Sequence, residues 1–239
     1  DRLKSYDYEI LLCRTLSDEK SDKFERVVSF LVNVVIALMI LLLAMYLAVE
    51  PVEISGSSMA PNIHDGDTVV IDKLYSSPKR GDIVVIDAVN TRLIKRVVAV
   101  EGDRIGFVKE QYSDGYYISL YLDKGDGNGF VRINEPYIKE PMSINTLSSS
   151  GEGDRIFKAF TVADSLDDLV SSEKFFTVSD SCFVALGDNR NVSKDSRYYG
   201  QFKCSSIAGR EFSVLKKGGF FDKFFSFFYT KSDSVNNNH

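Results

Sequence analysis

The run RLIKRVVAVEGD, residues 92–103, packs aliphatic and β-branched residues against a Gly-Asp turn signal. Such a composition favours a strand over a helix. In strand alternation Lys95 shares a face with Leu93 and Val97, and Arg96 points the other way with Ile94 and Val98. One of two adjacent basic residues must therefore face the more buried side. Either both sit at a strand edge and snorkel into water, or one of them is a buried base. Around this run lie others of the same kind: DTVVID, GDIVVIDA, YYISLYLD, GFVRIN, KFFTVSD and CFVALGD, broken by Gly-Asp and Asn-Gly. Their spacing predicts a mainly β domain over 50–215, mostly antiparallel, with coiled sheets. LDKGDGNGFVRI reads as a hairpin turn between two strands. Residues 141–172, with a Ser/Gly-rich loop, read as an irregular excursion, and no internal repeat is visible.

Ahead of the β region, VVSFLVNVVIALMILLLAMYLAV, residues 27–49, carries no charge. As a helix it would be roughly 35 Å long, enough to cross a bilayer core of about 30 Å with some tilt. It is too long for the apolar core of a cleavable signal peptide and follows 26 mostly polar residues. Residues 1–26 read as a short helix or as disordered. Arg14, Lys20, Lys23 and Arg26 precede the span, and no Lys or Arg follows it until Lys73. That asymmetry predicts a cytoplasmic N-terminus and an extracytoplasmic β domain on a single-pass anchor in the cell membrane.

The net charge of −5 over 239 residues argues against nucleic acid as a partner. Of the three cysteines, Cys13 would be cytoplasmic and reduced. Cys182 and Cys204 would lie where a disulfide is permitted, with their pairing left open. Neither a metal site nor a cofactor is expected. The segment GGFFDKFFSFFYTK, from Gly218, has two readings: a lipid-contacting aromatic face or the end of the domain core. SDSVNNNH after it reads as a loose tail.

The chemistry turns on SGSSMAPN, residues 55–62. A serine is a poor nucleophile without a base in hydrogen-bond reach. The chain has two histidines, His64 and His239. His64 lies in a turn and reads first as a surface residue, second as a triad base. The other available base is Lys95. Free lysine, with a pKa of about 10.4, is neutral in roughly one molecule in a few thousand at pH 7. Burial among apolar groups can lower that pKa by up to about 3–5 units.

Four segments in order resemble the type I signal peptidases: Ser-Met-Ala-Pro after a spanning helix, RGDIVV (80–85), IKRVVAVEGD (94–103) and GDNRNVSKDSRYYG (187–200). NEPY (134–137) is similar to a further family segment. The likeness covers residues 27–210. It implies the signal peptidase and LexA-like β fold and a serine endopeptidase that cuts signal peptides from exported preproteins after small residues, Ala-x-Ala. It implies Ser58 as nucleophile, Lys95 as general base and Ser193 as a hydrogen-bond partner orienting the lysine. Asp188 with Arg190, and Asp195 with Arg197, are implied to shape the site within a buried ion-pair network that supports the loop, and Gly187 to permit a tight turn. Ile54, Met59, Leu93 and Ile94 are plausible walls for small substrate pockets. Partners implied are preprotein signal peptides, membrane lipid and a nearby secretion translocon.

Two departures are visible. Where some members carry a serine that helps bind the oxyanion, this chain has Gly56, so backbone N–H groups, that of Ser58 included, would do the work. Ala99 and Glu101 replace the Gly and Pro of the commoner Val-Gly-x-Pro-Gly-Asp. LexA-type repressors use the same Ser-Lys pair but lack the spanning helix and the long last segment. Sporulation-type signal peptidases place His where Lys95 stands. The reading from a different class is an inactive membrane-anchored β domain serving as a binding or scaffold protein.

Overall fold

No Gly or Pro interrupts residues 2–48, whereas Pro51 disfavours a helical residue before it. The computed structural model accordingly runs one helix, α1, over Arg2–Ala48 and starts a strand at Val49. It describes residues 2–88, 91–144, 160–219 and 235–236, of which 2–22 and 235–236 by their backbone alone. Helix α1 passes through residue 26 without a break, so residues 2–26 are neither a separate short helix nor disordered. Within α1, Lys23–Ala48 is long and apolar enough to cross a membrane, and its apolar window is wholly unburied. The chain divides into two compact units, Asp1–Ala48 and Val49–His239.

The second unit is mainly β, as the strand pattern predicts. Its strands are β1 (Val49–Ser55), β2 (Thr68–Asp72), β3 (Ile83–Ala88), β4 (Thr91–Val100), β5 (Arg104–Tyr112), β6 (Gly115–Asp123), β7 (Val131–Arg132), β8 (Met142–Ser143), β9 (Val162–Ala163), β10 (Phe175–Thr177), β11 (Cys182–Leu186), β12 (Phe202–Lys203), β13 (Ile207–Leu215) and β14 (Val235–Asn236). Two short helices join them, α2 (Leu166–Ser171) and α3 (Ser196–Tyr199). One sheet has the order β12-β11-β4-β3-β13-β2-β1-β14; the other has β10-β5-β6-β7, with β8 on β6 and β9 on β5. Pairing is antiparallel except for β1–β14 and β5–β9. The predicted hairpin is present, with Tyr121 opposite Arg132 and Leu122 opposite Val131. The excursion at 141–172 is more regular than expected: its described part supplies β8, β9 and α2. Its Ser/Gly-rich loop lies outside the described residues, as does the Phe-rich segment from Phe220.

Strand β4 is central, and it is buried on both faces. Ile94 packs with Val52, Ile54, Met59 and Ile71 in one core cluster; Leu93 and Val97 pack with Val84, Ile86, Phe183 and Ala185 in a second. A third cluster joins the two sheets through Val98, Ala99, Phe107, Leu120 and Leu186. Single-face alternation therefore understates how enclosed Lys95 is. Cys182 belongs to the joining cluster and Cys204 to the Leu93 cluster. Both are free thiols. The expectation of a loose tail is corrected at Val235–Asn236, which pair with the end of β1.

Candidate active site

Strand β1 leads directly into the serine turn. Ile54 donates its N–H to the Asp67 carbonyl at 2.8 Å, and Gly66 donates to the Ile54 carbonyl at 2.7 Å, closing the base of the turn. Gly56 has φ +99°, a left-handed conformation that favours glycine. Its N–H donates to Asp65 Oδ1 at 2.8 Å, which engages that amide away from any substrate. Beyond it, Met59 and Ile63 are anchored in the core and Ser58 is fully buried.

Lys95 reaches Ser58 from the middle of β4. Its Nζ donates to Ser58 Oγ at 2.8 Å and to the Ile94 carbonyl at 2.9 Å. Both Lys95 and Ser58 have 0% exposure. Among the described residues no carboxylate lies within ion-pair distance of Lys95. Burial therefore holds its pKa down to about 8; the attraction of Asp195 offsets this in part, and the repulsion of Arg197 adds to it. His64 has a ring 59% exposed and 3.8 Å from Asp67, with no hydrogen bond to Ser58 among the described residues.

The loop after β11 braces this pair through charge. Asn189 donates its N–H to the Ser58 carbonyl at 2.9 Å and its side-chain amide to the Ser57 carbonyl at 3.2 Å. Asp195 takes two hydrogen bonds from the Arg197 guanidinium, each 2.8 Å, one from the Arg197 N–H at 3.1 Å and one from the Gly187 N–H at 2.9 Å. Burial raises the Asp195 pKa, but Arg197 and these donors override it and leave the carboxyl below its ordinary range. Asp188 and Arg190 both lie in the buried ion-pair network, but they do not pair with each other. Asp188 instead accepts from Arg96 at 2.8 and 2.7 Å and from Asn62 Nδ2 at 2.8 Å. Arg190 reaches across to Glu135 at 2.9 and 2.6 Å. These two find their partners on other segments, whereas Asp195 and Arg197, also two apart, pair with each other.

Two further expectations change. Ser193 Oγ is buried and makes no hydrogen bond among the described residues, so it does not hold Lys95. The lysine is satisfied by Ser58 and by its own neighbour's carbonyl. Gly187 is needed for space rather than for a left-handed turn. A Cβ there would fall 2.2 Å from Ser193 Oγ and 2.6 Å from the Ser58 carbonyl oxygen. Of the proposed pocket walls, Ile54, Met59 and Ile94 share one core cluster and Leu93 lies in the other. Among the described residues, no group of three His, Cys, Asp or Glu side chains could hold a metal.

A family model described as "Signal peptidase, peptidase S26" matches residues 27–215, which take in α1 from Val27, the serine turn, β4 and the bracing loop. The chain belongs to that family. Signal peptidase IB of Staphylococcus aureus (strain COL) is 29% identical over 190 residues, covering 78% of this chain and 87% of the relative. Signal peptidase I of Bacillus amyloliquefaciens is 28% identical over 195 residues, covering 80% and 89%. A crystal structure of a signal peptidase I from Enterococcus faecalis V583 aligns with a TM-score of 0.33 at 23% identity, covering 56% of this chain and 96% of that one. Membership of that family makes the protein a peptidase of signal peptide processing, with an apolar N-terminal helix that suits a membrane anchor.

Sequence reasoning missed several residues of this peptidase's site. Glu135 and Tyr137 lie in NEPY, whose resemblance was visible but whose role was not. Glu135 holds the fully buried Arg190, and Tyr137 carries the Arg96 guanidinium 4.1 Å from its ring centre. Asn62, Asp65 and Asn189 fix backbone and carboxylate groups of the turn. Nothing local marks them, because each acts on a segment brought close only by the fold.

Proposed function

We propose that this signal peptidase cuts with Ser58 as nucleophile and Lys95 as general base. The observation that carries the reading is the 2.8 Å contact between Lys95 Nζ and Ser58 Oγ with both side chains fully buried. When the amine is neutral the hydrogen bond reverses, and the serine hydroxyl donates to the nitrogen lone pair. Ser58 Oγ attacks the scissile carbonyl as its proton passes to Lys95. The tetrahedral oxyanion is met by backbone N–H groups, that of Ser58 among them, since Gly56 offers no side chain and its amide is engaged by Asp65. Lys95 then gives its proton to the leaving amine, leaving an acyl-enzyme. A water deprotonated by Lys95 adds to the ester carbonyl, and the proton returns to Ser58 as the acid product leaves. Ser193 and Gly187 support the loop behind the pair.

The substrate is a preprotein whose cleavage site, Ala-x-Ala, enters as an extended strand beside β1. Ile54, Met59 and Ile94, which share one core cluster, form the floor that limits its −1 and −3 residues to small ones, and Leu93, in another cluster, backs it from the far face of β4. The peptidase is anchored in the cell membrane by α1, with residues 1–26 in the cytoplasm and the β unit outside, close to lipid and to the secretion translocon. The Phe-rich segment from Phe220 to Tyr229 adds a lipid contact.

The test is cleavage of a preprotein with an Ala-x-Ala site by the purified chain in detergent, beside Ser58→Ala and Lys95→Ala, with mass spectrometry of the products. Cleavage after the −1 alanine that is lost in both folded variants is expected. Cleavage that survives Lys95→Ala would return His64 as the base. Absence of cleavage by the parent on several preproteins would favour the inactive binding domain. For the lipid contact, loss of vesicle binding on deleting 220–231 from the β unit is expected, and unchanged binding would remove it.

A further inference from the structure

The nucleophile and base of this peptidase are completely enclosed, yet a polypeptide has to reach Ser58 Oγ. One element on that approach is held by very little. Strand β14 runs parallel to the end of β1, with Val235 opposite Ile54 and Asn236 opposite Ser55. Its Cα atoms also lie within 8 Å of those of β4, the strand of Lys95. The segment therefore lies close both to the strand that enters the serine turn and to the strand that carries the lysine. Without β14, β1 would be the end of its sheet.

The backbone of β1 explains why a strand settles there. The amide and carbonyl of Ile54 are both engaged inward, by Asp67 and Gly66. By alternation the neighbouring groups, the Glu53 carbonyl and the Ser55 N–H, face the other edge, and an edge with unpaired groups is a template for an added strand. In the parallel register Val235 lies between them. Two bridged residue pairs make a weak ladder, one that a competing strand can replace.

We propose that Val235–Asn236, paired on the outer edge of β1, occupies the strand position at which the substrate of the proposed reaction enters, so that the chain's own tail competes with substrate. This rests on the reading of Ser58 and Lys95 as the cleaving pair. Because β14 is parallel to β1, the segment runs toward the serine turn, the direction in which a preprotein strand on this edge would bring its scissile bond to Ser58. No Ala-x-Ala occurs in SDSVNNNH. The segment thus matches a substrate in backbone and direction, while lacking the small side chains that the proposed floor admits.

The test compares the full chain in detergent with Val235→Pro, which removes an N–H from the ladder, and with a chain ending at Lys231. Two readouts are taken: steady-state cleavage of the Ala-x-Ala preprotein, and deuterium exchange of the peptide spanning 52–57. Removing the occupant should lower KM with kcat unchanged, by about tenfold if the edge is filled nine-tenths of the time. Exchange at 52–57 should quicken in both variants, and a synthetic peptide of residues 232–239 should restore the higher KM to the shortened chain. Unchanged KM, with or without faster exchange, would overturn the competition. Exchange that stays the same would overturn the pairing itself. A parent chain that cuts nothing would sink the peptidase reading alone, since the exchange contrast stands independently of activity.

Discussion

Two clusters of buried polar groups lie side by side in this peptidase, and they treat charge in opposite ways. Arg190 and Arg197 are almost completely buried, and each has a carboxylate in bidentate contact, Glu135 and Asp195. Lys95 is equally buried and is given only a hydroxyl and a backbone carbonyl. A buried cation with a paired carboxylate stays charged; one with neutral partners is pushed toward its neutral form. The guanidiniums are fixed charges: Arg190 ties the 187–197 loop to Glu135, and Arg197 ties that loop to itself through Asp195 and the Arg190 and Ser193 carbonyls. The ammonium is the one cation of the group whose proton is loosely held. The difference lies in which segment each side chain faces, because the depth of burial is nearly the same.

The largest effect should come from erasing that difference. Lys95→Arg keeps the positive charge and the donors but puts at the site a group that does not deprotonate in proteins. Cleavage of the preprotein should fall by on the order of 10⁴-fold, as for loss of a base that activates a serine, with the circular dichroism spectrum unchanged. Activity within tenfold of the parent would mean that no proton is taken at Lys95. Next in size is Arg197→Met, which strips Asp195 of its partner and leaves a fully buried carboxylate. Breaking such a pair from one side costs about 3–5 kcal/mol. Urea unfolding should show that loss, and cleavage should fall with it, since Asp195 also holds the Gly187 N–H. A loss under about 1 kcal/mol, in the range of exposed pairs, would mean that Asp195 is not enclosed as drawn.

The sequence carried the enclosed lysine more clearly than its surroundings. Alternation in RLIKRVVAV put Lys95 with Leu93 and Val97, and those two residues do share a core cluster from which Ile94 is absent. The mainly β architecture and the 121–132 hairpin followed from the same local signals. What alternation could not give is that β4 is the meeting point of three cores, because that depends on which strands flank it. The ion-pair network was expected, but which partner each charge takes was not legible, for a related reason. Asp188 and Arg190 are neighbours in sequence, but their partners Arg96 and Glu135 lie 92 and 55 residues away. Helix α1 was cut in two at residue 26 by a change in composition, although backbone propensity has no break there. The tail SDSVNNNH has no strand signature of its own; what orders Val235–Asn236 is an open edge elsewhere. Of the candidate site, the Ser58–Lys95 encounter was legible through its motifs, whereas Asn62, Glu135 and Asn189 were not.

The smallest predicted effect has the opposite sign to the others. Lys95 has an ordinary pKa of 10.5 and is held at about 8 in the fold. Between those two values the folded chain binds fewer protons than the unfolded one, so the parent's stability should rise with pH across that window. Below pH 8 the folded state bears the full penalty of a buried ammonium, about 3 kcal/mol at 1.36 kcal/mol per unit. Lys95→Met, of similar length and without a charge, should therefore be more stable than the parent at pH 7 by up to that amount. The gain should shrink as pH rises through 8 and vanish above about 10.5, which thermal unfolding at a series of pH values would follow. The same titration governs activity in the reverse sense: kcat/KM of the parent should climb with pH along a limb of apparent pKa about 8, since only the neutral amine accepts the Ser58 proton. A Lys95→Met variant no more stable than the parent at pH 7, together with a pH-rate limb well above 8, would show that the lysine holds its proton as an ordinary ammonium does, and the contrast with Arg190 and Arg197 would then collapse into three fixed cations.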